Sequence, residues 1–142
     1  MMGKAQRIMQ KSELQSTAET GRLERVDLGA RTEEYALAII RLFTALPRQT
    51  ATQVLGKQLL RSGTSVGAHY CEAKRARSAA EFISKMEGGF QELEESKYWL
   101  RLLSRSGAAA NVNLDDMLGE TNELLAIFTS SVKTAKRNAG RG

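Results

Sequence analysis

The stretch that decides the fold is residues 57–105, KQLLRSGTSVGAHYCEAKRARSAAEFISKMEGGFQELEESKYWLRLLSR. Two seams of apolar and small residues run through it in alternating three- and four-residue steps, the spacing of a helix–helix interface. The first seam is Leu55, Leu59, Ser62, Val66, His69 and Ala73. The second seam is Phe82, Met86, Gly89, Leu93, Ser96, Leu100 and Leu103. They predict two long helices, from about residue 52 to 77 and from about residue 78 to 104.

Local signals add detail to these two helices. Gly63 and Gly67 lie beside the first seam, where each glycine costs a helix interior roughly 1 kcal/mol. Close approach of another helix is the simplest expectation there, and a kink near Gly63 is the alternative. Ser78 is a predicted N-cap, and Glu81 three residues later completes a capping box. Gly107 suits the end of the second helix, because glycine adopts the left-handed conformation common at that position.

Two further helices flank this pair. Apolar residues at three- and four-residue steps predict one over residues 31–46, ended by Pro47. The other begins after Asn113, a predicted cap, with Asp115 and Asp116 in its first turn. Four helices joined by short turns predict an all-α fold, an antiparallel up-and-down four-helix bundle.

The chain of 142 residues is long enough for one domain with a sizeable core. We expect the bundle over residues 28–138, a flexible or loosely docked arm over residues 1–27 and a disordered tail over residues 139–142. The arm has five basic and four acidic residues, and a nucleic-acid-binding arm is the alternative. No apolar run has the length of a signal peptide or a membrane span, which predicts a cytoplasmic protein with no membrane partner.

Charge is unevenly distributed along the chain. Residues 57–77 hold five basic residues and one acidic residue, residues 108–131 hold four acidic residues and no basic one, and residues 132–142 hold four basic residues. The candidate nucleic-acid-binding residues are Arg61, Lys74, Arg75 and Arg77. Clustered cations bind phosphates, but they also pair with acidic neighbours such as the fourth helix. Both interpretations remain open at this level.

The sequence lacks the patterns of an enzyme. Ser130-Ser131-Val132-Lys133 has the spacing of a penicillin-binding motif but no companion motifs. A di-iron site needs Glu-x-x-His from two helices, and the single His69 has no Glu three residues before it. The single Cys71 excludes a multi-cysteine metal site and is interpreted as a packing residue. We predict no catalysis, no metal and no cofactor.

The end of residues 57–105 predicts a subunit interface. The candidate interface residues are Tyr98, Trp99 and Leu102. They place apolar surface on faces of the helix other than the seam, and a helix that is apolar on several sides needs several packing partners. On the seam of the preceding helix, His69 is interpreted as a buried histidine paired with a carboxylate such as Glu92 or Glu95.

Several of these segments together resemble a known family, the bacterial four-helix bundle proteins grouped with the 23S rRNA intervening-sequence proteins. The segments are Gln58–Ala68, Glu72-Ala73, Ala80–Met86, Glu95 with Tyr98–Leu103, and Phe128–Lys136. The resemblance extends over about residues 27–138. It implies a left-handed up-and-down bundle, ring-shaped homopentamers and no enzymatic activity. It also implies relatives encoded within ribosomal RNA insertions, and a distant retroelement accessory protein that binds nucleic acid and a reverse transcriptase.

The chain departs from the family pattern at His69, where asparagine is usual, and at Cys71, where the family residue is more often polar or small. If that asparagine supports a polar network between the second and third helices, the network is pH-sensitive here. The candidate residues of such a buried network are Ser62, Ser65, His69, Glu72, Glu92 and Glu95. The leading hypothesis is a homo-oligomer that binds RNA or another nucleic acid, and the alternative is a purely structural or protein-interaction module.

Overall fold

The computed structural model describes residues 27–141, which form four α-helices and no strand. The helices are α1 (Leu28–Ala45), α2 (Thr50–Lys74), α3 (Ala79–Arg105) and α4 (Asp115–Arg141). Each helix packs against the next one in the chain, and α1 also contacts α4. None of these four helices is long and apolar enough to cross a membrane. Of the predicted arm, residues 1–26 lie outside the described part of the chain.

Pairs of facing residues show that consecutive helices are antiparallel. Between α1 and α2 these pairs are Thr32 with Gly67, Ile39 with Gly63, and Leu46 with Gly56. Between α2 and α3 they are Ser62 with Ser96, His69 with Glu92, and Glu72 with Lys85. Between α3 and α4 they are Gly89 with Phe128, and Glu87 with Lys136. In every list residue numbers fall on one helix as they rise on the other, so the predicted up-and-down four-helix bundle is confirmed.

The core follows the predicted seams. On α3 the buried residues are Met86, Gly89, Leu93, Ser96, Leu100 and Leu103, all members of the second seam. On α2 the seam residues Leu59, Ser62, Val66 and Ala73 are buried, whereas Leu55 and His69 are partly exposed. Burying one large aliphatic side chain contributes about 1.5–3 kcal/mol. The helix–helix pairing therefore follows from the three- and four-residue spacing.

Small residues allow the helices to approach closely, as predicted for Gly63. A Cβ atom on Gly63 would lie 2.8 Å from Cγ1 of Ile39, and one on Gly89 would lie 2.6 Å from the Phe128 ring. Both distances are shorter than any van der Waals contact between carbon atoms. Glycine at these positions lets α1 approach α2 and lets α4 approach α3.

The helix ends differ from the prediction in ways that capping explains. α1 begins at Leu28, not near residue 31, because the Asp27 carboxylate accepts a hydrogen bond from Ala30 N at 3.0 Å. α2 ends at Lys74, three residues before the predicted end, because Ser78 must be extended to cap α3. α4 continues to Arg141, so residues 139–141, predicted as part of a disordered tail, are helical.

Three predicted caps are present, because Asn113 Oδ1 also accepts a hydrogen bond from Asp115 N at 2.9 Å, and one pairing differs. The Ser78 hydroxyl accepts a hydrogen bond from Glu81 N at 3.1 Å. The Glu81 carboxylate does not complete the capping box at Ser78, and accepts instead from Arg77 N at 3.4 Å. Gly107 follows α3 with φ +74°, the left-handed conformation expected of a glycine just beyond a helix end.

Candidate nucleic-acid interface

The turn between α2 and α3 projects three cations from one end of the bundle. α2 ends at Lys74, Arg75 caps it through backbone hydrogen bonds to Glu72 and Ala73, and Arg77 follows just before α3. All three cationic side chains are exposed. No carboxylate among residues 27–141 forms an ion pair with them, although Lys74 Nζ lies 5.9 Å from the centre of the Tyr70 ring. These cations therefore remain available to an anion.

Arg61, the fourth candidate, does not join them. Its guanidinium contacts Glu92 at 3.1 Å and also contacts Glu95, both across the α2–α3 interface. The side-chain hydrogen bond with Glu92 raises the pKa of Arg61 above its usual range. Arg61 and Lys74 are thirteen positions apart on α2, which is about 20 Å at 1.5 Å per residue. Arg61 therefore lies apart from the other three predicted residues, and two carboxylates face its guanidinium.

The second half of α4 brings further cations to the same end of the bundle. Gly89 faces Phe128 and Glu87 approaches Lys136, so the last turns of α4 run beside the first turns of α3. We call the cations gathered here the basic end. Its members are Lys74, Arg75, Arg77, Lys133, Lys136 and Arg137, all exposed. Sequence reasoning noted the positive tail but did not place it beside the α2–α3 turn, because no local pattern connects segments so far apart.

Acidic side chains offset only part of the positive charge of the basic end. Glu72 accepts a hydrogen bond from Lys85 Nζ at 2.7 Å, which lowers the pKa of Glu72 and raises that of Lys85. Glu87 lies 3.7 Å from Lys136 Nζ. Both pairs are exposed, where ion pairs are worth little and exchange readily with other ions. The surface therefore keeps a net positive charge that suits a polyanion.

The predicted buried polar network is largely a surface cluster. Ser62 is fully buried, but Ser65, His69, Glu92 and Glu95 are only partly buried and Glu72 is exposed. Ser65 donates to the Arg61 carbonyl of its own helix at 2.7 Å. Glu92 and Glu95 turn outward towards Arg61, which explains why they leave the core. The prediction was wrong for Glu72, which lies near the exposed end of α2 and pairs with Lys85.

His69 lies at the edge of this surface cluster. Its Nε2 is 3.8 Å from a Glu92 oxygen, and its Nδ1 is buried without a hydrogen-bond partner among the described residues. A Cβ on Gly88 would lie 2.8 Å from Nδ1, so glycine there makes room for the ring. Cys71 is exposed and is not the packing residue that was predicted. No group of three or more possible metal ligands occurs within residues 27–141.

A buried polar layer does exist, and it takes one hydroxyl from each helix. Tyr35 Oη lies 2.6 Å from Thr121 Oγ1, and Ser62 Oγ lies 2.7 Å from Ser96 Oγ. Thr121 and Ser96 each donate their own proton to a carbonyl one turn earlier, at 2.6 and 2.8 Å. Tyr35 is therefore the donor to Thr121, whereas Ser62 can donate either to Ser96 or to the Leu59 carbonyl of its own helix at 3.3 Å. Burial raises the pKa of Tyr35 to about 12.

An ion pair that sequence reasoning missed lies between α1 and α4. Arg31 Nε and Nη2 donate to the two Glu120 oxygens at 3.0 and 2.8 Å, and the exposed fractions of the two side chains are only 4% and 2%. Burial raises the pKa of Glu120, and the Arg31 contact opposes that rise. Removing one partner of such a buried pair is typically far more harmful than replacing both. The pair thus favours one arrangement of α1 against α4.

The predicted interface residues lie on the outer side of α3. Tyr98 is 54% exposed, whereas Trp99 and Leu102 are partly buried. The Tyr98 and Trp99 rings meet edge to face with centroids 5.0 Å apart. Three other large apolar side chains are exposed among the described residues, namely Leu37, Ile40 and Val54. The bundle therefore offers apolar surface on α1 and α2 as well as on α3.

The sequence of this chain matches the model of one known protein family. The sequence model of the family described as 23S rRNA-intervening sequence protein matches residues 24–130. The chain belongs to this family. A search of curated proteins found no match.

One solved structure shows the same fold in a protein that is similar to this chain. It is a protein of unknown function from the S23 ribosomal protein family of Bacteroides thetaiotaomicron, and it is 32% identical to this chain. The match covers 74% of this chain and 94% of that chain, with a TM-score of 0.67. The four-helix bundle is therefore common to both proteins.

Proposed function

We propose that this protein is a non-enzymatic, cytoplasmic RNA-binding protein that contacts the phosphate backbone through its basic end. The observation that carries the proposal is the exposed trio Lys74, Arg75 and Arg77, whose side chains form no ion pair with a carboxylate of residues 27–141. Lys133 and Arg137 widen the same surface from α4. The printed family name, which refers to intervening sequences of 23S rRNA, makes RNA the nucleic acid to test first.

Phosphate contacts predict a specific salt dependence. If each of the three turn cations neutralises one phosphate of a single strand, log K falls against log [salt] with a slope of about −2. Arg75→Glu with Arg77→Glu should remove most of the affinity and flatten that slope. Fluorescence anisotropy with a labelled RNA oligonucleotide at several salt concentrations measures both quantities.

Two control variants separate this surface from general charge. Arg61→Gln should leave RNA affinity nearly unchanged, because Glu92 and Glu95 already offset that guanidinium. Lys57→Glu reverses an exposed charge far from the basic end and should have an equally small effect. If the wild-type protein binds no RNA even at low salt, the proposed function is wrong.

The second candidate is a structural or protein-interaction module. Exposed Leu37, Ile40, Val54 and Tyr98 favour contacts with protein, and the family resemblance makes a homopentamer the assembly to test. In this alternative the basic end forms ion pairs between subunits. High salt should then dissociate the assembly, whereas under the RNA proposal it should release RNA and leave the assembly intact.

A further inference from the structure

A groove between α3 and α4 opens beside the basic end. Its volume is about 240 Å³, and its lining residues are Glu87, Phe90, Thr129, Val132, Lys133 and Lys136. Phe90 and Val132 supply an apolar surface that includes an aromatic ring, and both are partly buried. Two lysines stand at its edge. The groove thus combines a flat apolar contact with positive charge.

We infer that this groove receives an unpaired nucleobase of single-stranded RNA, whose flanking phosphates contact Lys133 and Lys136. The inference rests on the proposed function and adds the kind of strand that is bound. Bases of a single strand can leave their stack and pack against an aromatic side chain, whereas the bases of a duplex have their faces covered. Charge complementarity favours an anionic occupant, because the groove adjoins the basic end along α4.

The polar groups of the groove indicate which bases fit. The Thr129 hydroxyl donates to the Leu125 carbonyl at 2.8 Å, so towards the groove it offers only an acceptor. Glu87 offers carboxylate oxygens, and its pair with Lys136, at 3.7 Å, has both side chains more than half exposed. A phosphate can compete for such a lysine. Acceptors at both places favour bases that carry an exocyclic amino group, which are adenine, cytosine and guanine, over uracil, which can donate only from its N3–H.

The lysines and the apolar surface also act together. A phosphate without a base could bind to the cations of the α2–α3 turn alone, and none of those cations lines the groove. A nucleotide with its base on Phe90 places its phosphates at the groove edge, near the two lysines. On α4, Lys133 directly follows Val132 of the groove, and Lys136 directly precedes Arg137 of the basic end. Adjacent nucleotides can then continue towards Arg137 and the turn cations.

The test compares Phe90→Leu with Phe43→Leu, because both phenylalanines are partly buried and only Phe90 lines the groove. Fluorescence anisotropy is measured with single-stranded RNA and with a duplex of the same sequence at roughly 50 mM salt. Loss of base stacking should weaken single-strand binding about five- to hundred-fold in the Phe90→Leu variant. The Phe43→Leu variant should bind like the wild type, and oligocytidine should bind the wild type more tightly than oligouridine does.

Each other outcome overturns the inference in a recognisable way. If Phe90→Leu binds single strands like the wild type while Arg75→Glu with Arg77→Glu does not bind, the groove assignment is wrong and the proposed function stands. Equal affinity for duplex and single-stranded RNA would also contradict the assignment of the groove as a base-binding site. Absence of all RNA binding would contradict both the groove assignment and the proposed function. Tighter binding of an acidic peptide than of RNA would identify the groove as a protein-docking site instead. Circular dichroism confirms that both variants keep their helices.

Discussion

Tyr35 shows how a single side chain can make the stability of the bundle depend on pH. Its ring is buried on α1, and its hydroxyl donates to Thr121 on α4. Because the side chain is buried, its ionised form is disfavoured in the folded state, and the pKa rises from 10.0 to about 12. The unfolded chain therefore loses this proton first as pH rises, so the folded state loses stability between pH 10 and 12.

Comparison with Tyr35→Phe isolates this effect. Below pH 9 the wild type should be more stable by about 1 kcal/mol, the usual worth of one hydrogen bond. From pH 10 upwards that difference should shrink by about 1.4 kcal/mol per pH unit and then reverse. Urea unfolding at a series of pH values measures both free energies of unfolding. A constant difference from pH 9 to pH 11.5 would contradict the assignment.

At the scale of helices, α2 depends on small residues where it meets α1. Gly63→Ala would place a Cβ 2.8 Å from Cγ1 of Ile39, a fully buried and β-branched side chain that has little freedom to move. Overpacking of this kind costs about 1–3 kcal/mol. The higher helix propensity of alanine returns about 1 kcal/mol. We expect a net loss of stability of about 1 kcal/mol, measured by chemical denaturation.

Two comparisons make the Gly63 result specific. Gly140→Ala adds the same methyl group where nothing lies within 4 Å, and should leave stability unchanged or slightly higher. In an Ile39→Ala background the Gly63→Ala change should become harmless, because the opposing side chain is gone. If Gly63→Ala is equally harmful with and without Ile39, close contact with α1 is not the reason for the glycine.

The helices themselves could be predicted largely because each carries its own periodicity and caps. The seams on α2 and α3 and the Ser78 cap depend on residues a few positions apart, which a sequence displays directly. The Arg31–Glu120 pair could not be predicted, since its partners lie 89 residues apart and each looks like an ordinary charged surface residue. Only part of the basic end could be predicted, because its members also come from distant segments of the chain. Its α2–α3 turn is one local charge cluster, but its α4 part joins only through the packing of the bundle.

At the scale of the whole molecule, the positions of the exposed apolar side chains indicate how copies would assemble. α1 and α3 are not consecutive, and neither packs extensively against the other, so they occupy opposite corners of the bundle. Leu37 and Ile40 lie on α1, and Tyr98 lies on α3. Two different apolar surfaces on opposite sides suit a head-to-tail contact, and head-to-tail contacts that close produce rings. The proposed homopentamer is one ring that such contacts could form.

A head-to-tail ring makes a prediction that a symmetric dimer does not. Leu37→Glu and Tyr98→Glu should each break every contact of the ring, because each contact uses one surface of each kind. Mixed together, the two variants should form a heterodimer of one copy each, since one intact surface remains on either partner. Multi-angle light scattering distinguishes ring, heterodimer and monomer, and Lys57→Glu provides a control with an exposed charge reversal. A wild-type monomer, or variants that fail to pair when mixed, would show that these two surfaces do not meet.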